Sequence, residues 1–299
     1  MKKILILMAT YNGEKYLQEQ LDSIFGQRFV DVSILVRDDG STDNTLKILD
    51  ANKKCGRLNW YRGEHLNVAK GYLDLMRKSK NYNTNYIAFS DQDDVWDEDK
   101  LVTAVDRLES INNDFMKLYY SGQRLVNGDL EFIADHRLNE ARSLKTRFVL
   151  SDFAGCTGVF NTKLRDAVIE YEPSYILMHD TWILKVCLAL GGNVIVDPDP
   201  HMSYRQHGGN TVGLGRSILA YIKQVKQYLN DYKVEPQMVE LLNGYGNKMV
   251  QPYKDIAEWC SGYKKNSEYK KMLLDKQNID FCTRGLNATY TLKVRINKL

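Results

Sequence analysis

Residues 4–13 read Ile4-Leu5-Ile6-Leu7-Met8-Ala9-Thr10-Tyr11-Asn12-Gly13. Five large apolar residues in a row suit a strand covered on both faces, and the polar Thr-Tyr-Asn-Gly ends it. Working outward, the next apolar residues, Leu17, Leu21, Ile24 and Phe25, recur at helical spacing. A second strand, Val32 to Val36, stops at Asp38-Asp39-Gly40. A helix carrying Leu46, Ile48 and Leu49 then starts near Thr42 or Asp43, both good N-caps. Leu58 to Tyr61 predicts a third strand, and Tyr72, Leu75 and Met76 a third helix. Tyr86 to Phe89 predicts a fourth strand, running straight into Ser90-Asp91-Gln92-Asp93-Asp94. This alternation predicts an α/β fold, a mostly parallel sheet flanked by helices.

In such sheets ligands sit beyond the carboxyl ends of the strands. Three of those ends carry polar clusters: Thr10-Tyr11-Asn12, Asp38-Asp39, and Asp91 through Asp94. A single strand-end Asp is commonly a turn or cap, but three clusters on one edge point to a site. From about Ile111 the pattern changes. Tyr119 to Val126, the turn Asn127-Gly128, and Leu130 to Ile133 predict a hairpin with a primed turn. Gly155 to Phe160 reads as a further strand and Leu164 to Tyr171 as a helix broken at Pro173. Another helix starts near Asp180 and closes at Gly191-Gly192. Val194 to Val196 resumes the sheet, and Tyr204 to Gly209 reads as a loop. Beyond Gly215 the sequence reads as helical, rich in lysine and tyrosine.

Composition narrows the function. The chain has 299 residues, 43% hydrophobic and 26% charged, which excludes wholesale disorder. A formal charge of +3 argues against a nucleic-acid partner. The first apolar run is far short of the roughly 20 residues a membrane-spanning helix needs, and it lacks the features of a signal peptide. Five scattered cysteines, with no C-x-x-C pair, predict structural thiols in a reducing cytosol. No G-x-G-x-x-G follows the first strand, no P-loop is present, and no G-x-S-x-G appears. The loop Ala9 to Gly13, aromatic and rich in hydrogen-bonding groups, suits a base and ribose better than a bare pyrophosphate.

Asp91-Gln92-Asp93-Asp94 is the strongest chemical signal. Alternate carboxylates after a strand can present one to a sugar hydroxyl and another to a hard divalent cation, whose remaining sites go to phosphate and water. Such a cation neutralises a departing diphosphate. The alternative is a solvated acidic turn capping a helix near Asp97. His179-Asp180-Thr181-Trp182 is the second signal. A carboxylate at a helix start can take a proton from a hydroxyl while the indole packs a sugar face, or Asp180 is a plain N-cap and Trp182 core. His207, in a glycine-flanked loop, suits a metal or phosphate contact, or a surface role.

Taken in order, Ala9 to Glu14, Arg37 to Asp43, Ser90 to Trp96, Met178 to Trp182 and Tyr204 to Gly208 closely resemble the family 2 glycosyltransferases with a GT-A fold. Within that family the chain looks most like bacterial rhamnosyltransferases of surface-polysaccharide assembly. The resemblance covers roughly residues 2–213. It implies inverting transfer of a sugar, rhamnose from dTDP-rhamnose, to a glycan or lipid-linked acceptor. A UDP-hexose or UDP-N-acetylhexosamine donor, or a non-catalytic sugar-nucleotide binder, remains the alternative. Carried over by motif, Thr10, Tyr11, Asn12 and Glu14 contact the nucleotide and Asp39 reads the pyrimidine N–H. Asp91 lies nearer the ribose or donor sugar, and Asp93 holds Mg or Mn. Asp180 is the general base, flanked by the acceptor contacts His179 and Trp182. His207 supplies a further metal or diphosphate contact. One departure stands out: Asn67-Val68-Ala69-Lys70-Gly71 replaces the usual Asn-x-Gly, leaving Asn67 or Lys70 as the donor contact.

These assignments predict a donor-binding half at 1–110, an acceptor-binding and catalytic half at 111–215, and a helical tail at 216–299. The near-neutral total charge conceals an asymmetry. Residues 1–215 carry 26 basic and 30 acidic residues, against 15 and 8 in 216–299, which also holds eight tyrosines and Trp259. Such a tail suits peripheral contact with the anionic inner face of a bacterial membrane, where a lipid-linked acceptor would lie, or simply caps the fold.

Overall fold

The computed structural model describes residues 1–64, 66–206 and 232–299. His207, expected to contact a metal or diphosphate, therefore lies outside the described residues, as does the start of the tail. β1 (Lys2–Thr10), β2 (Val30–Asp38), β3 (Asn59–Arg62) and β4 (Tyr86–Ser90) are parallel neighbours in the order β3-β2-β1-β4. Between them run α1 (Leu17–Phe25), α2 (Thr45–Lys54) and α3 (Val68–Lys78). Both faces of β1 are buried, as its unbroken apolar run requires. Leu5 and Leu7 join one hydrophobic cluster, while Ile4, Ile6 and Met8 join the other. Register puts Thr10 beside Asp38 and Met8 beside Ser90, so the three polar clusters emerge from neighbouring strands at one edge.

The second half extends the same sheet. β5 (Val95–Trp96) and α4 (Lys100–Glu109) precede β6 (Lys117–Val126) and β7 (Phe132–His136), which form the expected hairpin. Its turn differs from the expected two-residue form. Asn127 pairs with Glu131 across three residues, and Leu130 takes the positive φ of 64°. Asn127 Oδ1 accepts from the N–H groups of Asp129 and Glu131, holding this longer turn. α5 (Leu144–Val149) follows.

The strand expected at Gly155 to Phe160 is reduced to β8 (Val159–Asn161), because Gly155–Thr157 forms a 3-10 turn. β8 runs antiparallel to both β4 and β6 and joins the halves. α6 (Thr162–Ile169) and α7 (His179–Ala189) lead to β9 (Asn193–Arg205). β9 absorbs Pro198 and Pro200 at register shifts against β6, so Tyr204 and Arg205 end a 13-residue strand rather than sitting in a loop.

The C-terminal part is helical as expected: α8 (Val234–Tyr245), α9 (Tyr253–Gly262), α10 (Ser267–Leu274) and α11 (Arg284–Arg295). Their apolar residues, among them Met238, Leu241, Ile256, Ala257, Leu273 and Val294, belong to the same cluster as Leu5, Phe89, Phe160 and Trp182. Among the described residues no helix is long and apolar enough to cross a membrane. All five cysteines are free thiols; Cys156, Cys187 and Cys260 are buried.

Candidate active site

The β1 loop and the β2 loop are laced together by side chains. Thr10, fully buried, donates from Oγ1 to Asp38 Oδ1 at 3.1 Å. Asp38 also accepts from Gly40 N–H, Ser41 N–H and Ser41 Oγ. Asn12 takes φ 49°, receives Thr42 N–H on Oδ1 at 2.8 Å, and donates its own N–H to Ser41 Oγ at 2.9 Å. Glu14 Oε2 accepts from both nitrogens of Asn44 at 2.8 Å. Thr10, Asn12 and Glu14 thus shape the loop with these groups. Tyr11 is 53% exposed.

Sequence reasoning gave no role to Gln92, yet it joins the first loop to the acidic one. Its Oε1 accepts Tyr11 N–H at 3.0 Å and its Nε2 donates to Tyr11 C=O at 3.1 Å. Gly13 leaves room for that amide, since a Cβ there would lie 2.3 Å from Gln92 Oε1.

Asp39 is held from behind. Arg37, 2% exposed, donates from Nε to Asp39 Oδ1 at 2.8 Å and from Nη1 to Asp74 Oδ2 at 2.7 Å, and also bonds Glu64 C=O. Tyr61 completes the set by donating to Asp74 Oδ2 at 2.6 Å. Pairing with two carboxylates outweighs desolvation and raises the Arg37 pKa. Asn67 caps α3, its Oδ1 accepting Lys70 N–H at 2.9 Å, which leaves the exposed Lys70 side chain as that segment's charged group.

The acidic loop divides its carboxylates by depth. Asp94 is fully buried; Oδ1 accepts Arg205 N–H at 3.2 Å, and Oδ2 has no partner among the described residues. Asp91 receives Tyr72 O–H at 3.3 Å, a group that also donates to Ser90 C=O at 2.7 Å. Burial raises the pKa of Asp91, and the charges of Asp93 and Asp180 push it further the same way. Lys100, buried behind this loop, donates to Cys156 C=O at 2.6 Å and lies over the Trp96 ring. Desolvation pulls its pKa down to about 7.

Asp180 opens the first turn of α7, with the 3-10 turn at Gly155 against it. Oδ2 accepts Gly155 N–H at 3.0 Å and Oδ1 accepts its neighbour Thr181 N–H. Burial lifts the pKa of Asp180 to about 6 despite these donors. The His179 ring stacks on Tyr72, centroids 3.8 Å apart and planes 17° apart, and meets Phe89 edge-on. Desolvation drops its pKa to about 3, so the imidazole is neutral. The stack connects α7, which carries Asp180, to Tyr72 and hence to Asp91. His179 is 3% exposed and Trp182 fully buried beside Tyr245. The expectation that Trp182 packs against an acceptor is corrected: its ring is core, because α7 is buried along its whole length.

Asp91, Asp94 and Cys156 place one possible ligand atom each within 4.8 Å of one another. The enclosed part of this group suits a hard cation poorly: Cys156 is a buried thiol whose pKa is raised by desolvation, and the Lys100 charge bears on both carboxylates. Asp91 and Asp93 at the loop's less buried side are the oxygen donors that fit magnesium or manganese.

The sequence pattern of glycosyl transferase family 2 matches residues 5–168, more than half the chain. A dTDP-rhamnosyl transferase, RfbG of Shigella flexneri, is 31% identical over 243 residues, covering 73% of this chain and 78% of that protein. The structure of S. aureus TarS 1-349 in complex with UDP-GlcNAc superposes with TM-score 0.58 at 18% identity, covering 98% of this chain and 81% of the other. A mannosyltransferase of Pyrobaculum calidifontis in complex with GDP-Man and Mn2+ gives TM-score 0.56 at 16% identity, covering 99% and 87%. The sheet order, the acidic loop at the end of β4 and these matches agree: the chain is a glycosyltransferase of family 2 with the GT-A fold.

Proposed function

We propose that the protein transfers rhamnose from dTDP-rhamnose, with inversion, to a hydroxyl of a glycan or lipid-linked acceptor in surface-polysaccharide synthesis. One observation carries the reading most directly. Asp180, buried and raised to about 6, lies close enough to the acidic loop for its charge to bear on Asp91. A base near a diphosphate-binding loop is what a single in-line displacement needs, and the His179–Tyr72 stack links the two here. Asp180 takes the acceptor proton as the hydroxyl oxygen attacks the anomeric carbon. The bond to the nucleoside diphosphate breaks on the opposite face, so no covalent nucleophile on the protein is required. Gly155 N–H and Thr181 N–H fix the carboxylate's direction.

Asp39, pinned by Arg37, accepts from the nucleobase N–H, and Tyr11 lies against the base. Asp91 faces the ribose or donor sugar, and Asp93 with Asp91 would hold the magnesium or manganese ion. When bound, that ion offsets charge on the leaving diphosphate. The donor assignment draws on the likeness to RfbG; the TarS complex motivates a second reading, the same chemistry with a UDP-N-acetylhexosamine.

The test is a product assay over a panel of dTDP-, UDP- and GDP-sugars with and without manganese, followed by NMR of the anomeric configuration. An inverted rhamnosyl product supports the proposal. Turnover confined to a UDP-sugar selects the second reading, and nucleotide-sugar binding with no turnover on any acceptor overturns both.

A further inference from the structure

Arg205 is the last residue of β9, and the acidic loop is built around it. The side chain is 2% exposed. Its Nε donates to Asp93 C=O at 2.8 Å and its Nη1 to Gly128 C=O at 2.6 Å in the β6–β7 turn. Nη2 pairs with Glu19 on α1, and the guanidinium plane lies over the Tyr16 ring, 4.4 Å from its centroid. The backbone N–H of the same residue donates to Asp94 Oδ1. One buried residue therefore touches two of the acidic loop's residues, Asp93 through its guanidinium and Asp94 through its backbone N–H, and fastens them to α1 and to the hairpin.

The chemistry of the side chain makes this more than adhesion. A guanidinium is a planar fork of five donors, always charged, so its contacts fix where each acceptor must sit. A lysine ammonium is a point charge with a freely rotating set of donors and cannot hold three acceptors in that plane. The fork holds the main chain of Asp93 by its carbonyl, while the backbone N–H of the same residue holds the Asp94 carboxylate. Removing the fork would free the Asp93 carbonyl and the hairpin turn from a common anchor and loosen the loop.

We propose that Arg205, anchored by Glu19, is a positioning residue that presets the acidic loop for a metal–diphosphate group. This deepens the function proposed above and rests on its reading of that loop. The experiment is calorimetric titration of the full-length protein with dTDP and with UDP, each with and without Mn2+. It compares wild type, Arg205→Lys, Arg205→Gln and Glu19→Gln, with thermal unfolding of each recorded in parallel. In wild type Mn2+ should tighten binding of at least one of these nucleotides by about tenfold or more, the range of ordinary coupling between two ligands. Both Arg205 variants should lose most of that gain while metal-free binding stays within about twofold, and Glu19→Gln should lose part of it. A folded Arg205 variant that keeps the wild-type gain overturns the proposal, since a purely structural loss would weaken binding in both conditions alike. If the Arg205 variants do not fold, Glu19→Gln decides, because that side chain is half exposed and carries only the outer anchor. An unchanged gain there overturns it. Wild type showing no metal effect with either nucleotide overturns the reading of the acidic loop, and this proposal with it, without any substitution being involved.

Discussion

Asp180 carries both a catalytic expectation and a thermodynamic one. Its pKa, raised from 3.8 to about 6 by burial, means the folded chain holds a proton that the unfolded chain releases between those values. The residue's contribution to stability is therefore full at low pH and is lost as pH rises through about 6. Urea unfolding of wild type and Asp180→Asn across that range should show their stability difference moving against wild type by about 3 kcal/mol as pH increases. Activity should run the other way: transfer needs the carboxylate, so the rate should climb through about pH 6. Asp180→Asn should lose about 10²- to 10⁴-fold in turnover while nucleotide binding by calorimetry is unchanged. Gly155 supports the same carboxylate. A Cβ there would stand 2.6 Å from His179 Nε2, so Gly155→Ala should displace the N–H that Asp180 accepts and cut turnover by about tenfold or more. Steady-state kinetics with full retention of activity would refute that role.

At the scale of elements, the nucleotide-side site is made by α3 as much as by the strand ends. Asp74 on α3 holds Arg37 on β2, and Arg37 holds Asp39. Asp74→Asn should remove one of the two carboxylates opposite a buried guanidinium and loosen Asp39. The expected result is weaker nucleoside diphosphate binding by about five- to tenfold, together with a stability loss of about 3 kcal/mol, because the arginine is left partly uncompensated. Fluorescence titration and urea unfolding measure the two. None of this was readable from spacing. Arg37 and Asp74 are 37 positions apart and their contact depends on how α3 packs on β2. Gln92 was hidden for a similar reason: it lies inside the acidic motif, but its partner is the backbone of Tyr11, 81 positions away. By contrast, the β1 run, the start of α2 close to Asp43 and the Gly191 stop were legible, because each depends on its immediate neighbours. The N-cap position of α2 is Asn44, one residue beyond Asp43, whose Oδ1 accepts Thr45 N–H at 3.0 Å, and Gly191 takes φ 76°.

Across the whole molecule, the C-terminal helices change what the basic tail can be asked to do. Tyr232 is 1% exposed and its hydroxyl receives Ser151 N–H at 3.4 Å, beside the turn that feeds Asp180 its donor. Met238, Leu241, Ile256 and Ala257 complete the apolar cluster that includes α7. Removing residues 216–299 should expose that cluster and give an aggregated or unfolded protein, seen by circular dichroism and size exclusion, rather than a soluble catalytic part. Membrane contact is therefore better tested by reversing exposed lysines, such as Lys265, Lys271 and Lys298, to glutamate. If the tail binds an anionic surface, this triple variant should sediment less with vesicles containing about 30% phosphatidylserine than wild type does, by about tenfold or more given roughly 1 kcal/mol per charge near the surface. Equal sedimentation would leave the tail as a cap for the fold.

By itself the sequence determined the alternation of strands and helices, the edge where the polar clusters gather, and the family motifs in their order. Those follow from local periodicity, from capping chemistry and from residue types that few other sites need in that arrangement. The tertiary structure alone decided which motif residues are buried and what they bond. It turned Thr10 and Asp94 inward, set Trp182 in the core, and brought Arg205 beneath the acidic loop from 111 positions away from Asp94. Burial and long-range hydrogen bonding are properties of packing, and a motif's spacing along the chain does not encode them.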